Sequence, residues 1–180
     1  MKLAQCIILD LLKDYDPVPL LPETCNFHFS GVQLLDQDNP TDDPSILYIG
    51  TTTQISSFDT EKLKDFCIIC IGKKEDVSSY IKNYQANLIL IPENHSLASI
   101  VNTLYTGFHR ILNWDGELQN AILRKQNYQS LFSIGGRFFG KNAMIMVNSS
   151  YNVIGTNLLE APGHEKLDFI LKNGYYSKDL

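Results

Sequence analysis

A chain of 180 residues that is 44% hydrophobic is long enough for one ordinary domain, or for a domain of about 100 residues with an appendage. Its 15 Lys and Arg against 20 Asp and Glu give a net charge of −5 with no basic patch able to neutralise several phosphates, which argues against nucleic-acid binding by this chain alone. The opening MKLAQCIILDLLKDYD has no signal-peptide form, no window approaches roughly eighteen uninterrupted apolar residues, and four scattered cysteines are too few for a secreted disulfide scaffold, so a soluble cytoplasmic protein with no membrane partner is expected.

Leu3, Ile7, Ile8, Leu11 and Leu12 recur at helical spacing until Pro17 and Pro19 end the pattern, which predicts a short amphipathic helix. Asn26 to Leu34 alternates as a strand does, with Gly31 at a bulge or bend, and DQDNPTDDP follows as a polar turn. SILYIG from Ser45 to Gly50 is a buried strand that empties into a hydroxyl-rich loop, Thr51 to Thr53. FCIICI from Phe66 to Ile71 and NLILI from Asn87 to Ile91 repeat the theme, with a helix over Val77 to Tyr84 between them. Continuous apolar strands separated by helical or loop segments predict an α/β domain with a mainly parallel sheet covered on both faces, occupying 1–94.

Ser96 to about Lys125 reads as one long amphipathic helix, with Leu97, Val101, Leu104, Phe108, Ile111, Leu118 and Ile122 in alternating four-three spacing that Asp115 interrupts. Asn94 or Ser96 is placed to cap it, and Trp114, Asp115 and Gly116 mark a point where it could break or kink. Its length, roughly 45 Å, suits a connector or dimerising arm, and Leu97, Val101, Leu104, Phe108, Ile111, Trp114, Leu118 and Ile122 are the candidate seam. A second helical stretch through Tyr128, Leu131, Phe132, Ile134 and Phe138 is weakened and finished by Gly135, Gly136 and Gly140, giving a helical connector over 95–140. AMIMVNSSYNVIGT then reads as a hairpin, and His164 to Asn173 as a short helix stopped by Gly174. The 38 residues from Ala143 to the end are below the roughly 40 a free-standing domain usually needs, so the region 141–180 is expected to be the start of a larger domain.

Catalytic and metal signatures fail on spacing, so no catalytic residue, metal ligand or cofactor is assigned. Cys67 and Cys70 form a CxxC on a strand, where residues three apart face opposite ways, so they read as buried structural thiols. Asp36, Asp38, Asp42 and Asp43 form a solvated turn that lacks the register of a calcium loop, and His28, His95, His109 and His164 are scattered. The ligand-binding candidate is Thr51, Thr52 and Thr53, because ligands gather at the carboxyl ends of strands in open α/β sheets and hydroxyls with free amides suit an anion or polar effector.

Taken together, GVQLLDQDNPTDDPSILYIG, FCIICIG, the stretch from NLILIP through the long helix, AMIMVNSSYNVIGT and LDFILKNGYYS resemble the N-terminal half of PucR/CdaR-type transcription regulators. In that family a GVxLL strand and an LYIG strand belong to a sensory domain, a helix with a Trp followed by Glu-Leu leads out, and a GAF/PAS-like domain opens near a hairpin. Phe108, Trp114, Glu117 and Leu118 match the helix pattern, and Asn148 through Ile154 match the hairpin. The resemblance implies a regulatory region that dimerises through the long helix, responds to a small-molecule effector, and reaches DNA only through a helix-turn-helix domain absent from this chain. It carries over no ligand residue. The alternatives are a protein-interaction adaptor, whose apolar helix face takes a partner helix, or a small α/β enzyme pairing the Thr51 to Thr53 loop with Asp59 or Glu61.

Overall fold

The computed structural model describes residues 2–21, 27–36, 43–56, 64–84, 86–139, 144–158 and 160–176. It is a mixed α/β structure whose contacts divide into two compact units, Met1–Arg110 and Ile111–Leu180.

In the first unit the chain runs β1 (Leu3–Ala4), α1 (Gln5–Leu11), a 3-10 turn (Lys13–Tyr15), β2 (Val18–Leu20), β3 (His28–Phe29), β4 (Gly31–Leu34) and β5 (Ile46–Thr51). It continues through α2 (Thr52–Ser56), β6 (Cys67–Ile71), α3 (Lys74–Tyr84) and β7 (Asn87–Ile91) into the first part of α4 (Leu97–Leu123). The main sheet has five strands in the order β2-β7-β6-β5-β4, in which β4 to β7 are mutually parallel and β2 is antiparallel. Tyr48, Ile68 and Leu88 lie side by side on one face, and Ile49, Ile69 and Ile89 on the other. All but Tyr48 of these six are completely buried. Double-sided burial is why these strands are continuous apolar runs instead of alternating ones.

One face packs Tyr48, Ile68, Cys70, Leu88 and Leu90 with Ile55 of α2 and Val77 of α3. Tyr48 meets Phe66 edge to face at 5.5 Å. On the other face Leu47, Ile49, Ile69, Ile89 and Ile91 are fully buried; Ile8 and Leu12 in and just after α1 and Ile100 and Leu104 of α4 are fully buried too, and Phe108 of α4 is buried at 6% exposure. Asn87 is the buried polar residue at the start of β7; its Nδ2 donates to the Lys64 carbonyl at 2.6 Å.

Three sequence expectations change. Leu3 does not begin a helix: Leu3–Ala4 pairs antiparallel with His28–Phe29, and α1 starts at Gln5. Asn26 to Leu34 is not one strand, because β3 and β4 belong to different sheets with Ser30 between them. The Pro17 to Pro19 stretch does not simply end an element; Val18–Leu20 is an edge strand pairing with β7. Proline is tolerated there because alternate edge residues direct their nitrogen away from the neighbouring strand, and a strand so placed offers few donors for further pairing.

The second unit begins within α4, which is continuous from Leu97 to Leu123, so Trp114, Asp115 and Gly116 do not break it. The helix stops where Lys125 takes a left-handed conformation (φ 51°) and Gln126 donates back to the Ala121 carbonyl at 3.0 Å. Then follow α5 (Tyr128–Phe139), the antiparallel pair β8 (Ile145–Val147) and β9 (Val153–Thr156), and α6 (Glu165–Asn173). Gly135 and Gly136 lie inside α5 instead of ending it, and Asn157 Cβ sits 2.6 Å from where a Gly136 Cβ would be. Phe132 fills the corresponding space at Gly155, at 2.8 Å, so α5 and β9 are in very close approach. The Gln129 amide completes the edge of β9: Nε2 donates to the Thr156 carbonyl at 2.7 Å, and the Thr156 N–H donates to Oε1 at 3.1 Å. Asn148 Oδ1 accepts from the amides of Ser150 and Asn152 and shapes the hairpin turn. Gly174 ends α6 with φ 73°, and Tyr175 then pairs with Asn152.

Replacing Ile69 with Ala, at a completely buried central position, should cost about 2–5 kcal/mol in urea unfolding. Leu34→Ala, at a 47% exposed position of the other edge strand, should change stability by less than about 0.5 kcal/mol in the same measurement.

Candidate functional site

Thr51, Thr52 and Thr53 do not form an open loop. Thr51 is the last residue of β5, and Thr52 and Thr53 begin α2. Gln54 turns back on this junction: its Oε1 accepts from the Thr51 amide at 2.9 Å and from the Thr51 hydroxyl at 3.2 Å. Its Nε2 donates to the Leu35 carbonyl at 3.2 Å, so one side chain ties together the ends of β4 and β5. Thr52 packs into the space a Cβ on Gly72 would need. β4, β5, β6 and β7 also lie in sequence order without reversal. The crevice that makes strand ends a ligand site arises where strand order reverses, and these four strands have none. Asp59 and Glu61, the acids paired with this loop in the enzyme reading, lie outside the described residues.

Cys67 and Cys70 are both completely buried on β6. Burial pushes the Cys70 thiol up to about 12, with a smaller contribution from the charge of Asp76. A thiol so shifted is a poor nucleophile and a poor metal ligand at neutral pH. Of the acidic run, Asp38 and Asp42 lie outside the described residues. Asp43 Oδ1 accepts from the Ser45 amide at 2.8 Å, and hydrogen bonds from Ser45 hold its carboxyl below the usual range. His95 meets the Tyr15 ring edge to face at 5.1 Å, His109 meets Tyr105 at 4.4 Å, His28 lies in β3, and His164 precedes α6. Among the described residues no group of three or more His, Cys, Asp or Glu could hold a metal ion.

The candidate seam of α4 is used unevenly. Leu104, Phe108 and Ile111 are buried within the chain, while Leu97, Val101, Trp114 and Leu118 are half-buried. Ile122 is 62% exposed. Trp114 is anchored in the second unit, where Nε1 donates to the Ile134 carbonyl at 3.1 Å and the indole stacks on Phe138 at 4.4 Å. Arg137 pairs with Glu117 in the same unit.

The structure also reveals a groove of about 520 Å³ in the first unit. One wall is a second stripe of α4, formed by Ser99, Asn102, Thr103, Thr106, Gly107 and Arg110. The other is Asp10 and Leu11 of α1 with Lys13 and Asp14 of the 3-10 turn. The Tyr15 hydroxyl closes one end, 2.8 Å from both Ser99 Oγ and Thr103 Oγ1. Further along the seam, between Tyr15 and Arg110, Leu11 occupies the space a Gly107 Cβ would take, with Cδ1 2.6 Å from that position. As the chain advances from Leu11 to Tyr15 its contacts retreat from Gly107 to Ser99, so the two helical segments run antiparallel. The apolar stripe of α4 dominates its sequence pattern, and this polar one lies beside it outside the candidate seam. The signal was present, since 99, 102, 103, 106, 107 and 110 share one helix face.

Comparison with protein-family models, curated proteins and solved structures finds no match.

The Cys70 shift carries a pH dependence. A thiol whose folded value lies above its ordinary value of about 9 stabilises the fold below pH 9, and that contribution is lost as pH rises toward 12. Unfolding free energies from urea titrations across this window should fall more steeply for the native chain than for Cys70→Ala, the difference approaching about 1.4 kcal/mol per pH unit.

Proposed function

We propose that this chain is the sensory and dimerisation region of a cytoplasmic transcription regulator, with DNA contacted by a domain outside it. The observation that carries this reading is α4. After the turn at 92–96 the last strand of the parallel sheet passes into a 27-residue helix whose final turns belong to the second compact unit. A single stiff helix common to two units is an element through which an effector on one can bias the other, to the extent that the effector binds two arrangements with different affinity. The described parts of the segments that resemble PucR/CdaR-type regulators fall on β4, β5, β6, β7, α4, the hairpin of β8 and β9, and α6. Among the described residues no helix is long and apolar enough to cross a membrane.

The dimer contact belongs to the far end of the helix. Leu104 and Phe108 are already buried within the chain, whereas Ile122 is 62% and Leu123 78% exposed. Sedimentation of the full chain should show a reversible monomer–dimer equilibrium. The double variant Ile122→Asp, Leu123→Asp should weaken association at least tenfold with an unchanged far-UV circular dichroism spectrum. A wild-type chain that stays monomeric up to millimolar concentration, or a variant that associates as the wild type does, overturns the dimer.

A further inference from the structure

The geometry points to the groove between α1 and α4 as the binding site for a small zwitterion of the α-amino-acid class, an inference that gives the regulatory reading its effector. Where two helices of one chain lie side by side, the seam is ordinarily apolar. Here α4 presents hydroxyls, an amide, a glycine and a guanidinium toward α1, and its apolar stripe is spent elsewhere.

The charges select the ligand. Lys13 and Arg110 lie on opposite walls, and so do Asp14 and Arg110, yet no ion pair or hydrogen bond engages the side chains of Asp10, Lys13, Asp14 or Arg110 among the described residues. A simple anion drawn to Arg110 meets the field of Asp10 and Asp14, and a simple cation drawn to those carboxylates meets Lys13 and Arg110. A molecule with both charges and a short backbone avoids either conflict. Its carboxylate suits the planar fork of the Arg110 guanidinium, and its ammonium suits the two aspartates. Asn102 and Thr106, also unengaged, offer neutral donors and acceptors for a polar side chain. The volume of about 520 Å³ is within the range of small-molecule sites. The charged groups are exposed, so water screens them and the expected affinity is modest, with a Kd between about 10 µM and 1 mM. Tyr15 and the Leu11–Gly107 contact fix the separation of the walls before any ligand arrives.

The test uses the full chain and the twenty common amino acids, each followed by the backbone amide resonances of the protein. At least one amino acid should shift, in a saturable way, the amides of Lys13, Asp14, Thr103, Thr106 and Arg110. Its carboxamide and its N-acetyl derivative, each lacking one charge, should bind about tenfold more weakly or not at all. Arg110→Gln and Asp14→Asn alter exposed side chains without unfolding the chain, and each should weaken the same amino acid by about tenfold. The inference is overturned if no amino acid moves these resonances, or if the derivatives and variants bind as well as the parent pair. Loss of the site with an intact Ile122-dependent dimer removes this inference and leaves the regulatory reading standing. Binding that leaves the dimerisation constant unchanged keeps the site and removes the regulatory reading.

Discussion

The central strands β5, β6 and β7 expose almost none of their side chains on either face, so each face needs its own covering layer. Consecutive parallel strands with crossovers of one hand carry their connections to one side, and α2 and α3 supply that layer through Ile55 and Val77. The opposite face is left for elements that are not crossovers. α1 and α4, from before and after the strand series, carry the buried Ile8, Leu12, Ile100 and Leu104 that suit this role. Completely burying a Leu or Ile contributes about 1.5–3 kcal/mol, so four such residues bind the two helices into the unit far more firmly than surface charges could.

That requirement also explains why a polar groove can exist in the same place. Because the apolar stripe of α4 is committed to the core, the seam between α1 and α4 does not have to supply stability. Two local contacts hold it: the Tyr15 hydroxyl with Ser99 and Thr103, and Leu11 against Gly107. Glycine at 107 admits the Leu11 side chain to a depth any Cβ would block, and the hydroxyl contacts at the far end set the spacing. The rest of the lining, on either side of the Leu11–Gly107 contact, is free of packing duty and can carry charge. The second unit holds its pieces together differently, through the bare backbones of Gly136 and Gly155 against Asn157 and Phe132 and through the Gln129 amide acting as an extra rung on β9.

Strands with continuous apolar composition were legible in the sequence, because double-sided burial leaves its mark on every residue: Ile46–Thr51, Cys67–Ile71 and Asn87–Ile91 lie within a residue of their expected places. The hairpin with its Asn148 turn and the Gly174 stop were legible for a related reason, since local backbone geometry demands those residue types. Elements fixed by distant partners were not. Nothing local in Val18–Leu20 announces pairing with Leu88 to Leu90, and two prolines argue against it until the strand is known to be an edge. Gly135 and Gly136 read as helix terminators because their reason, the approach of Asn157 and Met144, lies outside the helix. At the Thr51 to Thr53 junction the hydroxyls were visible, but Gln54 capping them and the unreversed strand order emerge only in three dimensions. The polar stripe lining the groove shares a helix with a stronger apolar signal that drew the interpretation to itself.

The uneven use of α4 bears on how a regulatory signal would travel. A heptad-like stripe from Leu97 to Ile122 suggests one uniform seam, but its members differ in what they already touch. Turning Leu104 or Phe108 outward to meet a partner would forfeit about 1.5–3 kcal/mol each before any dimer contact formed. Ile122 and Leu123 carry no such commitment. The groove therefore takes the first half of α4, as far as Arg110, and the proposed dimer contact its last turn, with Ile122 about three turns beyond Arg110. A ligand that holds Arg110 against the aspartates restrains the helix near its middle and leaves its last turns unrestrained. Coupling then requires that the restraint alter how readily the exposed end associates, which depends on stiffness along the intervening turns. Trp114, fixed by the Ile134 carbonyl and Phe138, is the side chain best placed to resist fraying there.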